Sequence, residues 1–278
     1  MREKTFVDGR TRIACLIGNP TRHSLSPLIH NTAYEALGLN YIYLALEVRD
    51  IKKTFEGLKQ MNVAGFNVTM PFKQGIMQHL DRIDEQARKV QAVNTVVNRN
   101  GIFVGYNTDG TGAVNALKKV TGISGKRVLL FGAGGAGRAI AFALHKEKAK
   151  LTIVEKAPSK VKALAKSVGA DYSSIADIGK LLPDITDIII NATPVGMRPD
   201  ADKSIVPAEL LKKGMVVFDI VYDPVKTKLL KDARRAGCTT LSGVEMLLEQ
   251  AFEGFELFTG RKAPKGKIRK AVYRELMQ

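Results

Sequence analysis

The chain has 278 residues, 45% of them apolar and 25% charged, a balance that suits a globular protein of two domains rather than one. No apolar run approaches the ~18 residues of a membrane span, and the opening MREKTFVDGR is too polar for a secretory signal. The net charge of +16, from 43 Lys+Arg against 27 Asp+Glu, raises nucleic-acid binding, but the bases are interleaved with acids, and the one dense basic run, 261–274, holds a single aromatic, Tyr273.

In chain order, 13–17 reads as a strand ending at Gly18-Asn19-Pro20. A helix follows to about residue 37, with Ser26 as N-cap, Pro27 in the first turn and Gly38 as its stop. Residues 41–46 alternate as a strand, 51–61 read as a helix, and 65–69 form a strand stopped by Pro71. Helical patterns cover 75–80 and 84–90. The strands 93–98 and 102–106 flank Arg99-Asn100-Gly101, an Asn-Gly hairpin. A helix spans about 111–120, and 122–125 resembles a linker. The first ~110 residues thus predict an α/β layer of their own.

Beyond the linker the order is strand 127–131, helix 137–146, strand 150–154, helix 158–168, strand 187–190, helix 207–212, strand 215–218 and helix 226–235. That alternation predicts a parallel, doubly wound sheet. After 239–241 the pattern changes to two helices, 244–258 and 267–276, which pack back on the first domain. The glycines Gly132, Gly134 and Gly137 form G-x-G-x-x-G between a strand and a helix. In that context the first glycine permits a tight turn, the second admits a pyrophosphate, and the third lets helix and strand pack closely. The helix start adds unpaired N–H groups and partial positive charge. A dinucleotide site follows, but no reaction.

The polar residues of the first half are more specific. Ser24 and Ser26 are hydroxyls at a helix mouth, able to hold a carboxylate or to serve as plain caps. Thr69 and Lys73 stand at the carboxyl edge of a strand, where open α/β sheets place ligands. Asn94 and Asp109 are read as closing strands as well. Together they suit a small polyhydroxylated acid, although each alone has a structural explanation. Cys15 and Cys238 make no disulfide or zinc pattern. The expectation is a cytoplasmic protein with no metal, no nucleic-acid or membrane partner, and a monomeric or homodimeric state.

The segments GNP…HSLSPLIHN (18–31), GFNVTMPFK (65–73), AVNTVV (92–97), GYNTDGTG (105–112), GAGGAGRA (132–139), NATPVGM (191–197), DIVYDP (219–224) and GVEMLLEQA (243–251), in this order, resemble those of the shikimate dehydrogenase family. The resemblance implies two α/β domains. A substrate-binding catalytic domain would comprise 1–111 and 244–278, and a Rossmann-like NADP domain 112–243. It implies reversible NADPH-dependent reduction of 3-dehydroshikimate to shikimate, on the way to chorismate and aromatic amino acids. Lys73 and Asp109 are implied as catalytic. Ser24, Ser26, Thr69, Asn94, Tyr222 and Gln250 join them as substrate contacts. Gly132, Ala133, Gly134, Gly135 and Ala136 are implied to hold the cofactor pyrophosphate, with Thr193, Met197, Ile220 and Gly243 lining the rest and Glu85 as a minor contact.

One stretch departs from the family. Its NADP-using members carry Asn-Arg-Thr where this chain has Glu155, Lys156 and Ala157. An acid about 20 residues past the glycines accepts from a free ribose 2′-OH and repels a 2′-phosphate. Lys156 and Lys160 pull the other way, less specifically than an arginine. NADP is the expected cofactor, with NAD use and a quinate/shikimate dehydrogenase as the alternative. A non-catalytic regulator on the same fold would be expected to lose Lys73 or Asp109, and both are present.

Overall fold

The computed structural model describes residues 7–156, 158–182 and 186–277, without the side chains of 158–160. The opening hexapeptide of the expected non-signal terminus, Ala157 and the Lys160 side chain therefore lie outside the described residues. The chain divides into two compact units, Met1–Thr108 with Gln250–Gln278, and Asp109–Glu249. Among the described residues no helix is long and apolar enough to cross a membrane.

The first unit runs β1 (Arg12–Gly18), α1 (Ser26–Leu37), β2 (Tyr41–Glu47), α2 (Ile51–Gln60), β3 (Gly65–Val68), a 3-10 turn (Gly75–His79), β4 (Arg82–Ile83), α3 (Glu85–Val90), β5 (Thr95–Arg99) and β6 (Ile102–Tyr106). Its sheet has the order β2-β1-β3-β5-β6-β4. β1 is parallel to β2 and β3, β4 is parallel to β6, and β5 is antiparallel to both β3 and β6. Cys15, Ile17, Phe66, Val96 and Phe103 fill one core with Phe55 and Leu58 of α2. Central parallel strands are covered on both faces, so β1 is apolar along its length rather than alternating.

Several sequence expectations shift here. Ser26 does not cap α1; Leu25 holds that position, with no side-chain cap, and Ser26 is the first helical residue. The 75–80 helix is a 3-10 turn, followed by the short strand β4, which its two residues could not reveal. Asp84 caps α3, its carboxylate accepting from Gln86 N–H. Asn94 opens β5 rather than closing a strand.

The second unit holds α4 (Asp109–Leu117), β7 (Arg127–Phe131), α5 (Gly135–Lys146), β8 (Lys150–Glu155), α6 (Pro158–Val168), β9 (Asp171–Ser174), α7 (Ile178–Leu181), β10 (Ile188–Asn191), β11 (Val216–Asp219), α8 (Lys228–Arg235) and β12 (Thr239–Ser242). The sheet order is β12-β11-β10-β7-β8-β9, every neighbour parallel. The strand order reverses beside β7, as in a doubly wound dinucleotide fold. The 207–212 helix is a single 3-10 turn, Ala208–Leu210, and 239–242 is an edge strand of this sheet. The edge strand β9 went unseen because Asp171 and Tyr172 are exposed and the segment is polar. α4 starts at Asp109, so Asp109 opens a helix instead of closing a strand.

Two helices end the chain, α9 (Gly243–Thr259) and α10 (Lys265–Leu276). Residues 243–249 of α9 belong to the second unit and 250–259 to the first. α10 lies against α1, burying Ile268 and Val272.

Candidate functional site

In the first unit the candidate residues gather at one edge of the sheet. Parallel register places Ile17 beside Val68, so β1 and β3 leave the sheet together. Thr69 N–H donates to the Ile17 carbonyl (2.9 Å) and Asn19 N–H to the Met70 carbonyl (3.0 Å). Because β5 runs antiparallel to β3, its start falls at the same end, and Val68 N–H donates to the Asn94 carbonyl (2.8 Å). Val93 N–H then donates to the Lys73 carbonyl (2.8 Å), which draws the lysine segment beside Asn94. Thr69 and Lys73 are half-buried. A Cβ on Gly18 would collide with the Thr69 methyl, with Thr21 Cγ2 3.3 Å away, so Thr21 stands at this edge too, and Ser24 N–H donates to its carbonyl (3.1 Å).

Hydrogen bonds fix these side chains. Ser24 Oγ donates to Ser26 Oγ (3.1 Å) and accepts from Ser26 N–H (3.2 Å). Asn94 Nδ2 donates to Thr108 Oγ1 (3.0 Å) and Gln250 Oε1 (3.4 Å), and its Oδ1 accepts from Thr108 N–H (2.9 Å). Two residues not singled out from sequence hold this cluster. Thr108 is fully buried, and Asn67 takes the Tyr43 hydroxyl (2.6 Å) while donating to the Asn94 carbonyl (3.1 Å) and Thr95 Oγ1 (2.9 Å). Both lie inside quoted motifs, but they act on other residues, and strand periodicity carries no sign of that. Glu85 is exposed on α3 of the first unit and ion-paired with Lys89 (2.5 Å), whereas the other cofactor candidates belong to the second unit.

In the second unit one row crosses the carboxyl edge of the sheet: Phe131, Asn191, Asp219 and Ser242 are successive partners. The residues just beyond them, Gly132, Ala192, Ile220 and Gly243, therefore share that edge, with Thr193 next in its loop. Sequence reasoning named four of these five from different segments. Gly132 has φ +100°, and a Cβ there would stand 2.8 Å from the Ala192 carbonyl oxygen. A Cβ on Gly137 would collide with the Gly132 carbonyl. The turn is thus kept clear of side chains at the start of α5, where the first N–H groups of a helix have no intrahelical partner. Met197 is exposed, and Tyr222 is half-buried, its phenol held above the usual range by burial and by Asp223. Asp109 is buried at the first residue of α4.

Glu155 ends β8 beside the glycine turn. Its Oε2 accepts from Ala133 N–H (3.1 Å) and its Oε1 from Lys156 N–H (2.9 Å). The carboxylate is folded onto the turn, while Lys156 is exposed.

The chain matches three family models: the shikimate dehydrogenase substrate binding domain over 16–96, shikimate / quinate 5-dehydrogenase over 115–224, and the shikimate 5′-dehydrogenase C-terminal domain over 243–273. It is 43% identical over 270 residues to a shikimate dehydrogenase (NADP(+)) of Thermococcus kodakarensis, covering 96% of this chain and 98% of that one. A crystal structure of a shikimate dehydrogenase in complex with NADP+ superposes with a TM-score of 0.93 at 38% identity, over 98% of each chain. The shikimate 5-dehydrogenase of Listeria monocytogenes, in complex with shikimate and NAD, gives 0.89 at 38% identity, over 96% of this chain and 98% of that one.

Proposed function

The chain belongs to the shikimate dehydrogenase family, and we propose that it is an NADP-dependent oxidoreductase of the shikimate pathway that interconverts 3-dehydroshikimate and shikimate. The observation that carries the proposal is the gathering of Thr69, Lys73, Asn94 and Gln250 at one edge of the first sheet, with Ser24 and Ser26 in the segment that follows β1 from that edge. A carboxylate receptor, hydroxyl receptors and one ammonium suit a polyhydroxylated acid. The substrate-binding domain is assigned to 1–111 with 244–278, and the dinucleotide-binding domain to 112–243, bounds that differ from the compact units at 109–111 and 244–249.

NADPH, when bound, supplies the hydride. The second unit fits such a group: the turn is clear at Gly132 and Gly137, and α5 offers N–H groups to a pyrophosphate. Gly132, Ala133, Gly134, Gly135 and Ala136 are assigned to hold the diphosphate, and Thr193, Met197, Ile220 and Gly243 to line the remainder. Glu85 is kept as a minor contact.

The chain's own residues handle the proton and the substrate. Reduction of the ketone develops an alkoxide, and the Lys73 ammonium gives it a proton while stabilising the negative charge. Asp109 accepts from a substrate hydroxyl. Thr69 and Asn94 hold the other hydroxyls, with Tyr222 and Gln250 as further contacts. Ser24 and Ser26 take the carboxylate. Asn94 comes to this task pre-oriented, both ends of its amide fixed by Thr108.

The bond from Ala133 N–H to Glu155 supports NADP over NAD. The carboxylate is engaged by an N–H of the turn, and exposed Lys156 beside it offers positive charge to a 2′-phosphate. The same carboxylate keeps NAD use with quinate or shikimate as a second reading, because an acid at this position accepts from a free 2′-OH. Absorbance at the nicotinamide band, with shikimate or quinate and each cofactor, tests both. Shikimate with NADP should give the highest kcat/KM. No turnover of shikimate with either cofactor rejects the proposal, and a lower KM for NAD favours the second reading.

A further inference from the structure

Asp219 is fully buried at the end of β11 and has no part in the chemistry above. A carboxylate in such a place is costly unless every lone pair is used. Its Oδ1 accepts from Asn191 Nδ2 (2.9 Å) and Val221 N–H (3.1 Å), and its Oδ2 from the Thr227 hydroxyl (2.6 Å). Thr227, also fully buried, caps α8 through Leu230 N–H (3.3 Å).

Asn191 carries the arrangement outward. Its Nδ2 also donates to the Val195 carbonyl (3.0 Å), and its Oδ1 accepts both the N–H (3.1 Å) and the hydroxyl (2.6 Å) of Thr193. Thr193 Oγ1 in turn accepts from Val195 N–H (3.2 Å). One carboxylate therefore sets the path of the loop after β10, of the loop after β11 and of the start of α8. The first loop carries Thr193 and Met197, the second Ile220 and Tyr222.

We propose that Asp219 is a positioning residue for cofactor binding, acting through Asn191 on Thr193 and through Val221 on the loop that carries Ile220 and Tyr222. The inference rests on the reading that Thr193 and Ile220 line the cofactor. The groups facing the carboxylate from the neighbouring elements are the Asn191 amide, the Val221 N–H and the Thr227 hydroxyl, all neutral donors. Burial lifts Asp219 to about 6, which agrees with a group held by hydrogen bonds and by no cation.

Two variants separate positioning from mere support of the fold. Asp219→Ala removes all three acceptors and should raise KM for NADP about tenfold, with kcat per folded molecule within about threefold of the parent. Asp219→Asn keeps Oδ1 for Asn191 and Val221 and should bring KM back to within about threefold. A folded Asp219→Ala enzyme with unchanged KM overturns the proposal, and so does an Asn variant as impaired as the Ala variant. Should the Ala variant fail to fold, Asn191→Ser removes the amide that links Asp219 to Thr193 and Val195 and spares the bonds of Asp219 to Val221 and Thr227. A KM for NADP raised at least fivefold supports the proposal, and an unchanged KM overturns it. Thr193→Ala tells this failure from that of the underlying reading. If Thr193→Ala raises KM while the Asp219 and Asn191 variants do not, the cofactor site stands and the positioning role falls. If Thr193→Ala also leaves KM unchanged, Thr193 is not a cofactor contact and both fall.

Discussion

Lys73 is half-buried in a segment anchored by its own carbonyl, so its ammonium projects from a fixed backbone rather than a loose loop. If it gives the proton during reduction, it must take one during oxidation. Lys73→Ala should lower kcat by about 10²- to 10⁴-fold with a small change in KM, the pattern of a contact used in the transition state. At Glu155, replacement by Asn removes a charge beside the glycine turn. Because the carboxylate also holds Ala133 N–H, two effects compete: relief of repulsion toward a 2′-phosphate and loosening of the turn. Relief is the larger effect if the turn is held by its glycines. Glu155→Asn should then increase the kcat/KM ratio of NADP to NAD several-fold, read by titrating both cofactors side by side.

The glycine turn joins β7 to α5 with no room to spare. A methyl at position 137 meets the Gly132 carbonyl, a backbone atom that can yield only by moving the strand end. Gly137→Ala should cost about 1–3 kcal/mol of stability in denaturant unfolding and weaken cofactor binding. Gly18→Ala meets the stiff Thr69 side chain at Cγ2 and comes 3.1 Å from the Met70 carbonyl oxygen, so it should both cost stability and raise KM for shikimate. Equal KM in that variant and its parent would show that Thr69 tolerates the shift. The parallel second sheet was legible because buried strands such as Ile188–Asn191 are continuous apolar runs set between helical periods. Its polar edge strand β9 carries no such signal, and β4 is too short for any period. At the site, Lys73 and Asn94 could be placed at strand ends, but Asn94 on the wrong end of its strand, since nothing local says that β5 runs antiparallel to β3. Asn67, Thr108 and Asp219 were illegible as positioning groups because the partners Tyr43, Gln250 and Asn191 lie 24, 142 and 28 residues away.

Two buried groups, one in each unit, respond to acid in opposite directions. His30 is buried in the first unit, stacked on Tyr43 at 4.2 Å, with no hydrogen bond to Nδ1. Desolvation lowers it from 6.5 to about 3. Below pH 6.5 the unfolded chain binds this proton and the folded chain does not, so stability falls as pH drops from 6.5 toward 3. Asp219, in the second unit, runs the other way. Burial raises it from 3.8 to about 6, so acidification between those values favours the folded form. His30→Phe keeps an aromatic ring on Tyr43 and removes the acid-labile group. Its melting temperature, relative to the parent, should gain as pH falls from about 6.5 to about 4. Parallel curves for the two proteins would show that His30 does not govern acid stability.

α9 also has a consequence at this scale. It is one helix of 17 residues, yet its first turns belong to the second unit and the rest to the first. Met246 is built into the second unit's core, and Lys119, in the turn after α4, grips Glu245 (2.8 Å) and Glu249 (2.5 Å). A gene fragment stopping before the helix would leave that core open and Lys119 without either carboxylate. One stopping after it would carry away helix that belongs to the other unit. The polypeptide therefore has no loop at its second crossing, and exchanging one half for a foreign one there would cut through a helix.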